Sequence, residues 1–158
     1  MAKNPIPQGY HTVTPNIVVR DAPRALEFYR KAFGADETLR MPGPDGRIMH
    51  AEFRIGDSVM MLCDEMPDMA AKSPEAYGGS PVGFYVYVED VDAAWKRAVD
   101  AGAKPTMPLQ DMFWGDRTGR LEDPFGHVWN LAQHVADLTP EEIQRGQEEF
   151  FSKAQATA

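Results

Sequence analysis

The sequence predicts an α+β protein: two βαβββ modules forming mixed sheets, followed by one accessory helix. Three observations predict it. Two Asp-capped amphipathic helices recur at a fixed interval, apolar segments of strand length flank each of them, and a separate capping box opens a polar helix near the C-terminus. At 158 residues the chain fits one compact domain with a real core.

The first module opens with the strand segment Thr12–Val19. Asp21 then caps a helix that tolerates Pro23 in its first turn, Leu26, Tyr29 and Phe33 follow at spacings of three and four, and Gly34 supplies the stop. After the helix, Glu37 to Met41 reads as extended and Pro42-Gly43-Pro44-Asp45-Gly46 as a turn cluster. The second module repeats the pattern. A strand from Val82 to Val88 leads to Asp90 as cap, Val91, Ala94, Trp95 and Ala98 form the buried stripe, and Gly102 closes the helix. A strand around Pro105 to Leu109 follows, then two strands around Asp123-Pro124-Phe125-Gly126. Asp21 and Asp90 lie 69 residues apart, too long for a solenoid unit and present only twice. The stretch Asp64 to Ser80, rich in Met, Pro, Gly and Ser, reads as a surface connection. Thr139-Pro140-Glu141-Glu142 is a capping box with Pro at the first helical position, and Ile143, Phe150 and Phe151 give its helix a thin apolar stripe.

One hairpin can be registered from sequence. Ile48–Ile55 and Ser58–Cys63 flank Gly56-Asp57, a two-residue turn, so paired residue numbers sum to 113. Arg54 then faces Val59, Glu52 faces Met61, and His50 faces Cys63 on one side of the sheet, while Ile55, Phe53, Ala51 and Met49 share the other with Met60 and Leu62. The second set is apolar and should take the helices. The first mixes polar and apolar residues, as a ligand cavity does, and as does a one-sided sheet facing water.

Composition narrows the partners. With 16 basic against 24 acidic residues the net charge is −8, which disfavours phosphate backbones and anionic membranes. Cys63 is alone, so no internal disulfide or CxxC chemistry is available, and it reads as a small buried hydrophobe. The N-terminal Met-Ala-Lys-Asn-Pro lacks a signal-peptide apolar run and no stretch reaches membrane-spanning length, giving the expectation of a cytoplasmic protein. No dinucleotide fingerprint, phosphate loop or Ser-His-Asp order is present.

The Val-Arg-Asp…Ala-Leu-Glu-Phe-Tyr helix entry, the paired βαβββ pattern and Glu122-Asp123-Pro124-Phe125-Gly126-His127 resemble the vicinal oxygen chelate superfamily of glyoxalases, extradiol dioxygenases, fosfomycin-resistance enzymes and bleomycin-binding proteins. Ile48-Met49-His50-Ala51, Met60-Met61 with Asp64 and Met66-Pro67, and Phe113-Trp114-Gly115 are most similar to its PhnB-like branch. The resemblance implies a glyoxalase-like fold of cupped sheets over residues 1–136, in two repeats of about 10–66 and 80–135, with a helical tail at 137–158. It also implies a homodimer, with the modules paired either within one chain or across a swapped pair. In metal-using members the ligands come from the first and fourth strands of each module. Carried over position by position, they fall on Thr14, Met61, Gly83 and Asn130. None is a His or carboxylate, so no metal or other cofactor is expected there.

Two constellations remain as candidate site residues. His50 and Glu52 sit two apart on one strand opposite Met61 and Cys63. They could serve an unconventional metal site with His11 or His127, or acid–base chemistry with Glu52 poised by desolvation, or merely line a cavity wall or a dimer surface. Phe113-Trp114-Gly115-Asp116-Arg117 falls near the mouth of the second cup, where Trp114 could stack on a flat or cationic ligand and Arg117 could pair an acidic group. The alternative is that Trp114 anchors the loop and Asp116 and Arg117 form a local ion pair. Tyr85 and Tyr87 share a face with Gly83. The reading favoured is a metal-independent small-molecule binder lined by His50, Glu52, Met61, Tyr85, Trp114, Arg117 and Asn130. Its ligand would be an antibiotic or toxic metabolite. The alternative is a lyase or isomerase with a non-standard metal or acid–base site. No nucleic-acid or membrane partner is expected.

Overall fold

A computed structural model describes residues 4–156. Met1–Lys3 and the last two residues lie outside it, and with them the outer limits, 1 and 158, of the two units expected above. The first module runs β1 (Asn16–Val19), α1 (Ala22–Phe33), β2 (Asp36–Pro42), β3 (Ile48–Ile55) and β4 (Ser58–Asp64). Its sheet has the order β1-β4-β3-β2, with β1 parallel to β4 and the other pairs antiparallel. The second runs β5 (Gly83–Tyr87), α2 (Val91–Ala101), β6 (Lys104–Asp111), β7 (Asp116–Glu122) and β8 (Val128–His134), in the corresponding order β5-β8-β7-β6. The helix α3 (Pro140–Ala156) follows.

The helix ends are built as their sequences dictate. Asp21 and Asp90 accept the backbone N–H groups of Arg24 and Ala93 through their carboxylates, and Gly34 and Gly102 close the helices in the left-handed conformation. A second cap, not visible in the sequence, repeats with the same interval. A residue at the end of each module's last strand turns back to the first helical N–H: Asp64 Oδ1 accepts from Ala22 N at 2.7 Å, and Gln133 Oε1 accepts from Val91 N at 3.2 Å. At α3, Thr139 N donates to Glu142 and Glu142 N to Thr139 Oγ1, closing the capping box reciprocally.

The β3–β4 register follows the two-residue turn, from Ile55↔Ser58 through Ala51↔Leu62. Two expectations need correction. Met49 is 40% exposed and Ile48 is buried, because Met41 pairs with His50 and Pro42 with Ile48. That leaves Met49 as the extra residue of a β-bulge and reverses the alternation beyond it. The first strand begins at Asn16 instead of Thr12, since Pro15 has no N–H to continue the ladder and offers only its carbonyl, to Met61 N. The connection after Asp64 runs mostly exposed over the surface, as expected, but it is well folded. It folds into 3-10 turns at Pro67–Met69 and Pro74–Tyr77, buries Ser73 and Pro74, and is tied down by Ser73 N and Oγ donating to Glu65.

Both modules contribute to one core, so they pair within this chain. Ala51, Phe53, Met60 and Leu62 from the first sheet join Leu121, Trp129 and Leu131 from the second, under α1 and α2. Tyr29 of α1 stacks on Phe53 of its own module at 5.1 Å and meets Trp129 of the other at 5.4 Å. Asp123, 4% exposed, binds this junction together. Its Oδ2 accepts from Tyr29 Oη and Trp129 Nε1, each at 2.9 Å, and its Oδ1 accepts from the backbone N–H groups of Phe125 and His127. His127 Nε2 donates to the Val18 carbonyl at 3.0 Å, sealing the open edge of β1 with the other module. Trp95, partly buried, packs against this core with its ring over Gly119, where any Cβ would lie 2.5 Å from Trp95 Cζ3. Cys63 is buried, and burial pushes its thiol pKa up, which keeps it unreactive.

Candidate functional site

Each sheet turns one face to its helix and presents the other as a cup. In the first cup, β3 places His50 and Glu52 on the open face, and β4 sets Met61 opposite Glu52. The segment before β1 covers them. Pro5, Ile6, Pro7, Tyr10, His11 and Thr12 join Thr14, Glu52 and Met61 around a cavity of ≈ 440 Å³. Tyr10 donates its hydroxyl to Glu52 Oε2, while His50 Nε2 lies 3.1 Å from Glu52 Oε1. These two hydrogen bonds, Tyr10 first, hold the Glu52 carboxyl below its ordinary range, so desolvation does not win there. The shift of Glu52 runs opposite to the one that poising by burial would give. Tyr10 carries no sequence signal for this role, since it precedes the first strand and belongs to no periodic pattern.

The second cup is organised by Asp116, for which a local ion pair with Arg117 is one of the two readings open from sequence. Asp116 and Arg117 open β7 and point to opposite faces. Arg117 goes to the helix side, where its guanidinium pairs with Asp92 of α2 and with Asp111; it does not join the cup. Asp116 goes to the cup side and is 3% exposed. It accepts from Tyr87 Oη at 2.9 Å, Trp114 Nε1 at 3.2 Å and His134 Nδ1 at 2.9 Å, with Tyr85 Oη further off at 3.4 Å. Burial pushes the Asp116 carboxyl up, but the His134, Tyr87 and Trp114 hydrogen bonds outweigh it and the pKa is lowered overall. The same contact, with a second from Asp137, raises the His134 pKa. A buried charge thus fixes the half-buried Trp114 and two tyrosines whose faces stay available: Tyr85 is 45% and Tyr87 62% exposed, with ring centroids 5.3 Å apart. Trp114 is supported from behind by Phe113, which meets it edge-on and also touches Phe150 of α3.

Asn130 also lies on this face. Its Oδ1 accepts from Arg120 Nε at 3.2 Å, and a Cβ at Gly83 would come within 3.1 Å of its Nδ2. No one cavity is lined by all four positions of the superfamily's metal ligands, although they meet in pairs. Thr14 and Met61 line the first cup, Gly83 and Asn130 line a second pocket, and Thr14 and Gly83 also meet at the groove between the modules. Their chemistry does not fit a divalent metal either: one hydroxyl, one thioether, one amide and no side chain at all. Among the described residues no cluster of three or more His, Cys, Asp or Glu side chains could hold an ion.

Fold and cups define a member of a single class. The sequence matches the Glyoxalase/Bleomycin resistance protein/Dioxygenase superfamily over residues 10–131, and the chain belongs to that family. Among its relatives, Rv0887c of Mycobacterium tuberculosis is 46% identical over 135 residues, covering 84% of this chain and 79% of that protein. The Arabidopsis thaliana protein At5g48480 is 31% identical over 127 residues, covering 74% of each. Its crystal structure superposes with a TM-score of 0.64 at 28% identity, over 78% of this chain and 98% of that one. TioX from Micromonospora sp. ML1 superposes with a TM-score of 0.61 at 29% identity, over 82% of this chain and 100% of its own. The fold alone extends to the PhnB protein of Bacillus cereus, with a TM-score of 0.61 at 19% identity over 78% and 99% of the two chains.

Proposed function

We propose that the protein is a metal-independent small-molecule binder of this superfamily, working as a homodimer that sequesters a flat aromatic or amphipathic compound such as an antibiotic or toxic metabolite. The observation that carries this reading is the Asp116 carboxylate, buried beneath Tyr85, Tyr87 and Trp114. Burying a charge is costly, and here it serves to hold exposed rings in fixed positions, as a preorganised stacking surface requires. Tyr85, Trp114 and Asn130 line the second cup in this reading, and His50, Glu52 and Met61 the first. Residues 1–136 are the binding unit and 137–158 an appendage, in a cytoplasmic protein. No helix among the described residues is long and apolar enough to cross a membrane, which is consistent with that location.

The alternative, a lyase or isomerase, draws on the Tyr10–Glu52–His50 hydrogen-bond chain. The lowered Glu52 pKa weakens it, because a general base works best near the operating pH. The test is a thermal-shift panel of flat aromatic, aromatic-cationic and aliphatic compounds on the full chain. A raised Tm for one aromatic class, lost in Trp114→Ala, is expected. A ligand bound equally well by Trp114→Ala and Tyr85→Ala would overturn the proposal. So would turnover of any bound compound that His50→Gln abolishes.

A further inference from the structure

A second cleft lies outside both cups, where the edge of the first module meets the linking segment and the start of β5. Its volume is ≈ 460 Å³, within the range of small-molecule sites. Val13, Pro15, Tyr77, Val82 and Phe84 supply apolar walls, and Lys72 stands among them. Three of these are among the most exposed large apolar side chains of the described residues, Val13 at 81%, Tyr77 at 69% and Val82 at 57%, and all three converge on this one cleft. Scattered exposed apolar residues need no explanation, but a convergent set does.

The charges around it are equally uneven. The chain carries 24 acidic residues, yet no Asp or Glu lines the cleft. The nearby carboxylates are engaged elsewhere: Glu65 and Glu75 both pair with Arg20, and Glu65 also accepts from Ser73. Lys72 is left with its ammonium 6.0 Å from the centre of the Tyr77 ring and no carboxylate partner among the described residues. The walls are rigid. Pro74 packs on the Asp123–His127 turn, where a Cβ at Gly126 would come within 3.0 Å of it, and Ser80 Oγ accepts from Val82 N while donating to the Val82 carbonyl. His127 closes the floor with its Nε2–H committed to Val18.

We infer that this cleft is a second ligand site, for a small organic anion with an apolar body: the anionic group on Lys72, the body between Tyr77, Val13, Val82 and Phe84. The site is independent of the aromatic wall at Asp116.

The experiment uses the full chain and 8-anilinonaphthalene-1-sulfonate as fluorescent probe, displaced in turn by decanoate, decanol and decyltrimethylammonium. Decanoate should displace the probe at concentrations at least tenfold below those of the other two. Lys72 is exposed, so Lys72→Glu should keep the wild-type Tm while weakening decanoate at least tenfold, and Tyr77→Ser should weaken all apolar competitors. Trp114→Ala should bind decanoate as wild type does, which separates this site from the cup. Equal displacement by decyltrimethylammonium, unchanged binding in Lys72→Glu, or no probe binding at all would overturn the inference. A dimer in sedimentation that Lys72→Glu dissociates would also overturn it, by making the cleft an interface between copies.

Discussion

Replacing Asp123 by asparagine keeps the shape of the side chain and exchanges one acceptor oxygen for a donor in the middle of the protein. The Oδ1 atom, which accepts from Phe125 N at 2.8 Å and His127 N at 2.9 Å, retains both bonds in the variant. The new amide nitrogen instead faces the Tyr29 hydroxyl and the Trp129 indole N–H, both now bound at 2.9 Å to Oδ2. The hydroxyl can rotate and accept; the indole cannot, because it is a donor only. One charge-assisted bond becomes neutral and one is lost between two opposed donors, at a cost of about 2–4 kcal/mol where neither group can reach water. Tyr29 and Trp129 are both fully buried, so no solvent relieves the loss. Native stabilities of about 5–15 kcal/mol leave the variant folded. For a chain of this size its Tm should fall by about 2–4 °C per kcal/mol. Tyr29→Phe removes a single hydroxyl from the same oxygen and should cost about 1–2 kcal/mol. Because both changes act on one atom, the double variant should be more stable than the sum of the two predicts, by about 1 kcal/mol or more. Urea unfolding of the four proteins measures the cycle. Asp123→Asn within about 0.5 kcal/mol of wild type, the scatter of ordinary surface substitutions, would refute the reasoning.

Three further outcomes follow from the structure. Because His134 has a pKa raised above its unfolded value, its contribution is fully present below the unfolded pKa and is lost as pH rises through the folded one; Tm should therefore decline from near pH 6.5 upward, and His134→Gln should flatten that decline. Dialysis against EDTA should leave Tm unchanged, because ions raise it only by binding the native state and the four superfamily positions offer no such donors; a stoichiometric divalent ion lost in His50→Gln would contradict this. Gly146→Ala should fail to give the usual gain of about 1 kcal/mol for removing a helix glycine, since its Cβ would come within 2.9 Å of Phe113 Cβ and lift α3 from that ring, and circular dichroism with limited proteolysis reads the outcome.

Much of the architecture is legible in the sequence because it is local. Caps such as Asp21 and Asp90, the Gly56-Asp57 turn and the Thr139–Glu142 box each act within a few residues, and a two-residue turn leaves only one register. The site is less legible. Asp116 and Arg117 differ only in strand parity, and parity depends on where β7 begins, which the Phe-Trp-Gly loop does not reveal. Met49 defeats the alternation through a bulge set by Pro42 on the neighbouring strand. Tyr10, Asp64 and Asp123 owe their importance to partners 42 or 94 residues away, and nothing periodic marks them.

The two turns that close the hairpins of the repeat differ in a way that matters for how the molecule could have arisen. The first is Gly56-Asp57, two residues long; the second spans Asp123 to His127 and carries the carboxylate, the Phe125 ring and the imidazole that reach across to the first module. Two copies of the first module would lack this clasp, so a pair of identical halves would meet less tightly than these do. The asymmetry makes the halves complementary parts instead of interchangeable ones. A chain permuted to begin at β5 should still fold, whereas one in which the second turn is shortened to match the first should come apart along the seam between its modules.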